Sequence, residues 1–431
     1  MKIHSYKNIL ILAIPTIISG IADPLIGATD LILVGVLGES AIAVVGIGGS
    51  AMMSLVWIVA SFLMAISARV AYHYGAKQSR KLLQLINYLY SRLVLILIAV
   101  TTIAFLFSDG IISFFNPANL STQKIATEYF NIRLLGFTFI LFSTFCFQIF
   151  KGLQNTLIVL YITLIGAALN LILDFGLIKG LWGLPQLGVL GAAWASAISQ
   201  ISMGLISLTV LFQARIIKPG VGPYNNIKVL FQNSFNLFLR TLLLNTCIIY
   251  GNKITASSSA TAIATHTIMA NMIINISYFM DGVANAGSII IGRLKGAQTH
   301  KYIKTVAFKC ISLNSGFCLI VSIAYLLFDQ EIITFYTPLT AIFNAFKEVK
   351  TIYLLCILFG SFAFTFDGVY IGLENTLLLR NVLLLATLMV YFPILYIHGA
   401  MNLQGVWYAF TGWMFVRGFL PLSHFLYLKK Y

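Results

Sequence analysis

Apolar runs of roughly twenty residues or more, separated by short polar punctuation, follow one another along the whole 431-residue chain. Nothing else restricts its folding so tightly. In hydrocarbon the backbone must satisfy its own N–H and C=O groups, and an α-helix does this within one segment. Candidate spans fall at 8–36, 41–66, 84–107, 126–149, 156–178, 187–212, 229–250, 258–288, 303–327, 348–372, 377–397 and 402–427. Charged residues are 9% of the chain, against roughly 25% in soluble proteins, and mean hydropathy is +0.94. An ordinary soluble fold is excluded. The first run is preceded by Met1-Lys2-Ile3-His4, as in a secretory signal, but no small-residue cleavage site leads into a polar chain. It is expected to be a retained helix.

The formal charge of +15 would suit nucleic acid if it were concentrated on a soluble face. Here the basic residues sort by loop. With a cytoplasmic N-terminus, seventeen Lys and Arg fall in loops on that side and five in the opposite loops, which favours both termini inside by the positive-inside rule. The asymmetry accounts for the charge without a nucleic-acid partner. Five cysteines (Cys146, Cys247, Cys310, Cys318 and Cys356) are scattered in apolar runs with no C-x-x-C pair and no His at ligand spacing, so they read as packing residues.

The chain carries an internal repeat. Gly152-Leu153-Gln154-Asn155-Thr156 returns 220 positions later as Gly372-Leu373-Glu374-Asn375-Thr376. Gly75-Ala76 returns at Gly296-Ala297 and Ala41-Ile42-Ala43 at Ala262-Ile263-Ala264, both offset by 221. A unit with an even number of spans inserts its second copy the same way up, so the expected architecture is all-α: twelve transmembrane helices in two six-helix bundles related by a pseudo-two-fold axis along the membrane normal. The N-lobe is expected over 1–212 and the C-lobe over 229–431. Between them a linker at 213–228 carries the Pro- and Gly-rich stretch Lys218-Pro219-Gly220-Val221-Gly222-Pro223.

Five acids stand well inside spans, away from their ends: Asp23, Asp30, Asp174, Asp281 and Asp367. A charge at mid-bilayer costs at least roughly 2.5 kcal/mol, so each needs a reason. Asp23 and Asp30 share a face of the first span, about two turns apart, and Asn170 and Asp174 share a face of the fifth. If these faces meet near Ser196, the pocket combines carboxylates with neutral oxygen donors, which suits a proton or a sodium ion. The bland reading, polar residues hydrogen-bonded between helices, is disfavoured by the pairing of two acids with an amide. Pro15 and Pro24 interrupt the same first helix, leaving a static kink or a hinge equally open.

In the second lobe Arg240, Asp281, Asp367 and Arg380 are expected to form a structural network of opposite charges, since each acid has a possible basic partner. Of the aromatics, which are 13% of the chain, most are expected to face lipid. Phe147, Tyr278 and Phe279, with Phe362 and Phe366, are candidates to line a cavity for apolar or cationic substrates, since aromatic faces attract cations. Asp23 is placed with that cavity.

Ala13-Ile14-Pro15, Gly27-Ala28-Thr29-Asp30 and Val34-Gly35-Val36-Leu37-Gly38 resemble the opening of the multidrug and toxic compound extrusion (MATE) family. So do Lys151 to Thr156, Asn170 to Asp174 and Gly188 to Ala195. The resemblance covers essentially the whole chain. It is nearest the DinF-type branch, which also fits Tyr278 to Gly282 and Asp367 to Gly372. It implies two six-helix bundles forming an antiporter that exports drug-like or amphipathic compounds while protons or sodium ions enter, with no cofactor. By position it assigns Asp30, Asn170, Asp174 and Ser196 to a cation site and Pro15 to the bend of the first helix. Two departures stand out: Asn245 occupies a position where NorM-type members place Glu, and Asp23 replaces a neutral polar residue. The expected setting is a bacterial inner membrane, the expected partners are a small amphipathic substrate and membrane lipid, and the expected state is monomeric.

Two other classes compete. A lipid-linked sugar flippase of the same wider superfamily would need a cationic cavity for a pyrophosphate, whereas the first lobe offers acids. A membrane-embedded enzyme finds no support, for there is no H-E-x-x-H, G-x-S-x-G or Walker A motif.

Overall fold

A computed structural model describes residues 4–115, 120–217, 222–398 and 403–428, with the side chains of Asp23 and Leu25 left out. The structure is 89% helix, with no strand among the described residues. By contacts the chain divides into an N-terminal unit of Ile18–Tyr74 and Gln78–Leu230, and a C-terminal unit of Met1–Ile17, Gly75–Lys77 and Phe231–Tyr431.

The N-terminal half of the sequence forms α1 (Tyr6–Gly35), α2 (Glu39–Leu63), α3 (Ala65–Gly75), α4 (Ser79–Leu106), α5 (Ser108–Phe114), α6 (Leu120–Gly152), α7 (Thr156–Lys179) and α8 (Val189–Gln213). The second expected span is thus α2 and α3 together, interrupted only at Met64. The C-terminal half forms α9 (Ile227–Ser258), α10 (Ala260–Gly296), α11 (Ile303–Leu327), α12 (Asp329–Tyr336), α13 (Thr340–Gly372), α14 (Thr376–Ala386), α15 (Phe392–His398) and α16 (Leu403–Tyr427). A π-helical segment, Thr387–Tyr391, joins α14 to α15 into one long element. Counting α2 with α3 and α14 with α15, each half supplies six long helical elements. Among the described residues nine helical stretches are long and apolar enough to cross a membrane by length and composition alone. The short helices α5 and α12 precede α6 and α13 and are not evident in the apolar pattern.

The repeat is visible in backbone detail. Lys77 and Gln298 both take positive φ, at 54° and 57°, just past the ends of α3 and α10. Gln154 and Glu374 do the same, at 66° and 55°, past the ends of α6 and α13. The next residue then bonds back to the helix: Asn155 N–H donates to the Phe150 carbonyl and Asn375 N–H to the Tyr370 carbonyl, each at 2.9 Å. These are left-handed helix caps that satisfy otherwise orphaned carbonyls.

Helices that are apolar on all sides associate in lipid through small residues that let backbones approach. A Cβ placed on Gly152 would stand 2.6 Å from the Ser67 carbonyl oxygen, and one on Gly372 would stand 2.6 Å from that of Ser288. Both glycines are needed for close approach, at equivalent points of the two copies. In the C-terminal unit the core centres on aromatics: Tyr353, Tyr391, Trp407, Phe410 and Trp413 are all buried.

Candidate cation site and charge network

The helix pattern carries Asp30 near the end of α1, Asn170 and Asp174 one turn apart on α7, and Ser196 near the start of α8. None of the four is more than 4% exposed. The Ser196 hydroxyl donates to Asp30 Oδ2 at 3.4 Å. The carboxyl groups of Asp30 and Asp174 are near neighbours, close enough for each to act on the other. Two carboxylates hold that position without repulsion only when a proton or a cation lies between them.

The remaining valences of the cluster are open. No fixed donor reaches Asp30 Oδ1 or either Asp174 oxygen, and neither end of the Asn170 amide is satisfied. An all-oxygen set with one amide and one hydroxyl fits a proton or a hard monovalent cation. Nitrogen- and sulfur-rich metal chemistry does not fit, since no group of three or more His, Cys, Asp or Glu comes together among the described residues.

One neighbour escaped the reading of the sequence. Arg133, on α6, is close enough for its charge to act on both Asp30 and Asp174. Its Nη1 donates to the Tyr129 hydroxyl at 3.2 Å, and Tyr129 is itself fully buried. A basic residue alone in a span gives no spacing signal, so only the packing of α6 identifies it.

Pro15 is buried in α1, two residues before Ile17, where the contact-based units divide that helix. The side chain of Asp23 lies outside the described residues. So do 218–221, the Pro-Gly part of the expected linker; nearby Tyr224 is described and receives a hydrogen bond from Arg69 Nε at 2.8 Å. Phe147, Tyr278 and Phe279 are half-buried, and Phe279 stacks on Phe317 with ring centroids 3.8 Å apart. An apolar groove of about 610 Å³ opens among α4, α6 and α8, lined by Leu97, Thr101, Thr138 and Phe139 among others. Phe147 is not part of that lining.

In the C-terminal unit, Arg240 on α9 and Asp367 on α13 form an ion pair. A second guanidinium joins them, Arg417 on α16, whose Nη2 lies 3.1 Å from the same Asp367 oxygen. Arg380 is engaged elsewhere: its Nη1 donates to Asn236 Oδ1 at 3.0 Å and its Nε to Asn381 Oδ1 at 3.1 Å. Asp281 is exposed. Asp367 is thus bonded by Arg240, as expected, and by Arg417 in place of Arg380, because α16 packs against α13 and carries Arg417 to the same carboxylate.

The family model described as MatE matches this chain twice, over residues 15–175 and 237–397. The two matches coincide with the two copies of the repeat. A probable multidrug resistance protein NorM of Bacillus thuringiensis is 26% identical over 332 residues, 72% of this chain and 71% of that protein. The DNA damage-inducible protein F of Escherichia coli is 26% identical over 426 residues, 96% and 90% of the two chains. An outward-facing structure of a multidrug resistance MATE transporter of the MOP superfamily superposes with a TM-score of 0.88 at 21% identity, over 98% of this chain and 96% of that one.

Proposed function

The chain belongs to the MatE family of membrane transporters, whose members are transporters and not enzymes, and from that premise we propose that it is a secondary active antiporter exporting amphipathic or cationic organic compounds in exchange for H⁺ or Na⁺. The observation that carries the coupling half of this reading is the meeting of Asp30 and Asp174, both out of solvent, with the Asn170 amide and the Ser196 hydroxyl beside them.

In this reading the coupling ion is the switch. With the pair empty, two buried like charges repel and the ends of α1 and α7 are held apart. A proton or Na⁺ removes the repulsion, Asn170 and Ser196 complete its oxygen shell, and Arg133 holds the residual negative charge low. The gain is transmitted along α1, with Pro15 as the point where a missing backbone hydrogen bond lets the helix bend. Alternating access then follows from a two-state element biased by ion loading. No cofactor enters the cycle. The transporter works as a monomer in a bacterial inner membrane with both termini cytoplasmic, in contact with lipid and its small-molecule cargo and with no nucleic acid.

The test is ethidium efflux from proteoliposomes under an imposed pH gradient or an imposed sodium gradient, for wild type and Asp30→Asn. Efflux driven by one gradient and lost in the variant identifies the ion. No efflux under either gradient counts against the antiporter and turns attention to lipid-linked cargo.

A further inference from the structure

Arg240 and Arg417 lie near the middle of α9 and α16, two long helices. They are 7% and 5% exposed. A guanidinium stays charged at every physiological pH, and between these two stands a single carboxylate, Asp367, which bonds to both. The triad holds two positive charges and one negative. Among the described residues, Asp367 is the one carboxylate that forms an ion pair with either guanidinium group.

A surplus charge in the middle of a membrane protein is costly, and such charges mark pathways for ions or substrates. The neighbours here soften the cost without cancelling it. Arg417 lies over the Trp413 ring at 4.6 Å and within 5.9 Å of the Phe364 ring, which stabilises a cation but supplies no counter-charge. Arg240 gives one Nη to Asp367, the one side-chain hydrogen bond it makes among the described residues. Most of its five N–H donors therefore remain unspent. Paired guanidinium donors of this kind suit a carboxylate or phosphate, with charge-assisted bonds and planar geometry. The aromatic rings beside Arg417 add an apolar wall.

We propose that Arg240 and Arg417 form an anion-binding subsite that takes the acidic group of an amphipathic substrate, so that the preferred cargo is a zwitterion or organic anion rather than a simple cation. The inference rests on the transporter reading above and narrows it. Asp367 has a positioning role: it holds the two guanidinium groups together and lowers their mutual repulsion, leaving one net charge to be met by the cargo.

The test compares two dyes that share a ring system, rhodamine 110 with a free carboxylate and rhodamine 123 with that group as its methyl ester. Transport of each is measured in phosphatidylcholine proteoliposomes under the driving gradient. Wild type is expected to take rhodamine 110 with a KM roughly tenfold lower, the discrimination of one charge-assisted hydrogen bond. Arg240→Gln and Arg417→Gln are expected to bring the two KM values together while the ester is still carried, and Asp367→Asn to widen the gap. Equal KM values in wild type, a preference for the ester, or an unchanged ratio in both arginine variants would each overturn the proposal. Where a variant fails to insert, the wild-type ratio decides alone. Adding phosphatidylglycerol to the vesicles is expected to leave the ratio unchanged; its collapse would give the subsite to a lipid headgroup and end the claim about cargo. Transport of neither dye, with no ethidium efflux, would instead reject the antiporter itself.

Discussion

The Ser196 hydroxyl reaches Oδ2 of Asp30 at 3.4 Å, joining α8 to α1 across 166 positions of sequence. That is long for an O–H···O bond, whose usual length is about 2.7–2.8 Å, so Ser196 orients the carboxylate only weakly. Ser196→Ala is expected to lower coupling-ion affinity by less than about tenfold, the scale of one modest hydrogen bond. Ion dependence of ethidium efflux measures it, and complete loss of efflux would show Ser196 to be an obligatory ligand.

Asp30→Asn and Asp174→Asn are each expected to abolish coupled efflux while the protein still inserts. A second readout separates loss of coupling from loss of folding. Each variant removes one of two buried like charges, so its melting temperature in detergent without Na⁺ at neutral pH should equal or exceed that of wild type. A lower melting temperature in both would make the pair a structural contact.

Gly152→Val and Gly372→Val each force side-chain atoms toward a carbonyl oxygen already 2.6 Å from the position of Cβ. Overpacking of this kind costs about 1–3 kcal/mol. Thermal unfolding should fall in both variants, and to a similar degree, because the two glycines are equivalent in the repeat. A drop in one alone would mean that the two joints do different work.

At the start of α12, Lys350 Nζ donates to Asp329 Oδ2 at 2.6 Å, and this bond holds the Asp329 carboxyl below its ordinary range. A carboxyl lowered on folding contributes stability at neutral pH and loses it as pH falls through the folded value. Asp329 is near the surface, so the contribution is small. In Lys350→Met the Asp329 titration, followed by carbon NMR of a labelled sample, should move up toward its ordinary value. No movement would mean that the ion pair does not persist in solution.

Much of this molecule could be read from its residues. Continuous apolar runs give twelve long elements because a lipid-facing helix needs little more than length and hydropathy, and the second Gly-Leu-x-Asn-Thr motif marks a junction whose backbone is the same in both copies. Asp30 and Asp174 stood out because acids are conspicuous in apolar sequence, and Asn170 because it lies one turn from Asp174. Arg133 and Arg417 did not. Each is a single basic residue in a span, and what it meets depends on how one helix lies against another, which periodicity along a helix does not encode. Met64, where α2 gives way to α3, carries no Gly or Pro to announce the break, and the π-helical turn at Thr387–Tyr391 is likewise silent.

The left-handed caps at Lys77 and Gln298, and at Gln154 and Glu374, set apart what the two copies share from what they do not. The two copies have the same bends at the same places, while the faces between those bends differ in sign, acidic around Asp30 and Asp174 and basic around Arg240 and Arg417. What the copies share lies in the corners of the chain, and what distinguishes them lies on the straight segments between. A further change of cargo would then require only a few substitutions along helix faces, with every corner left as it was.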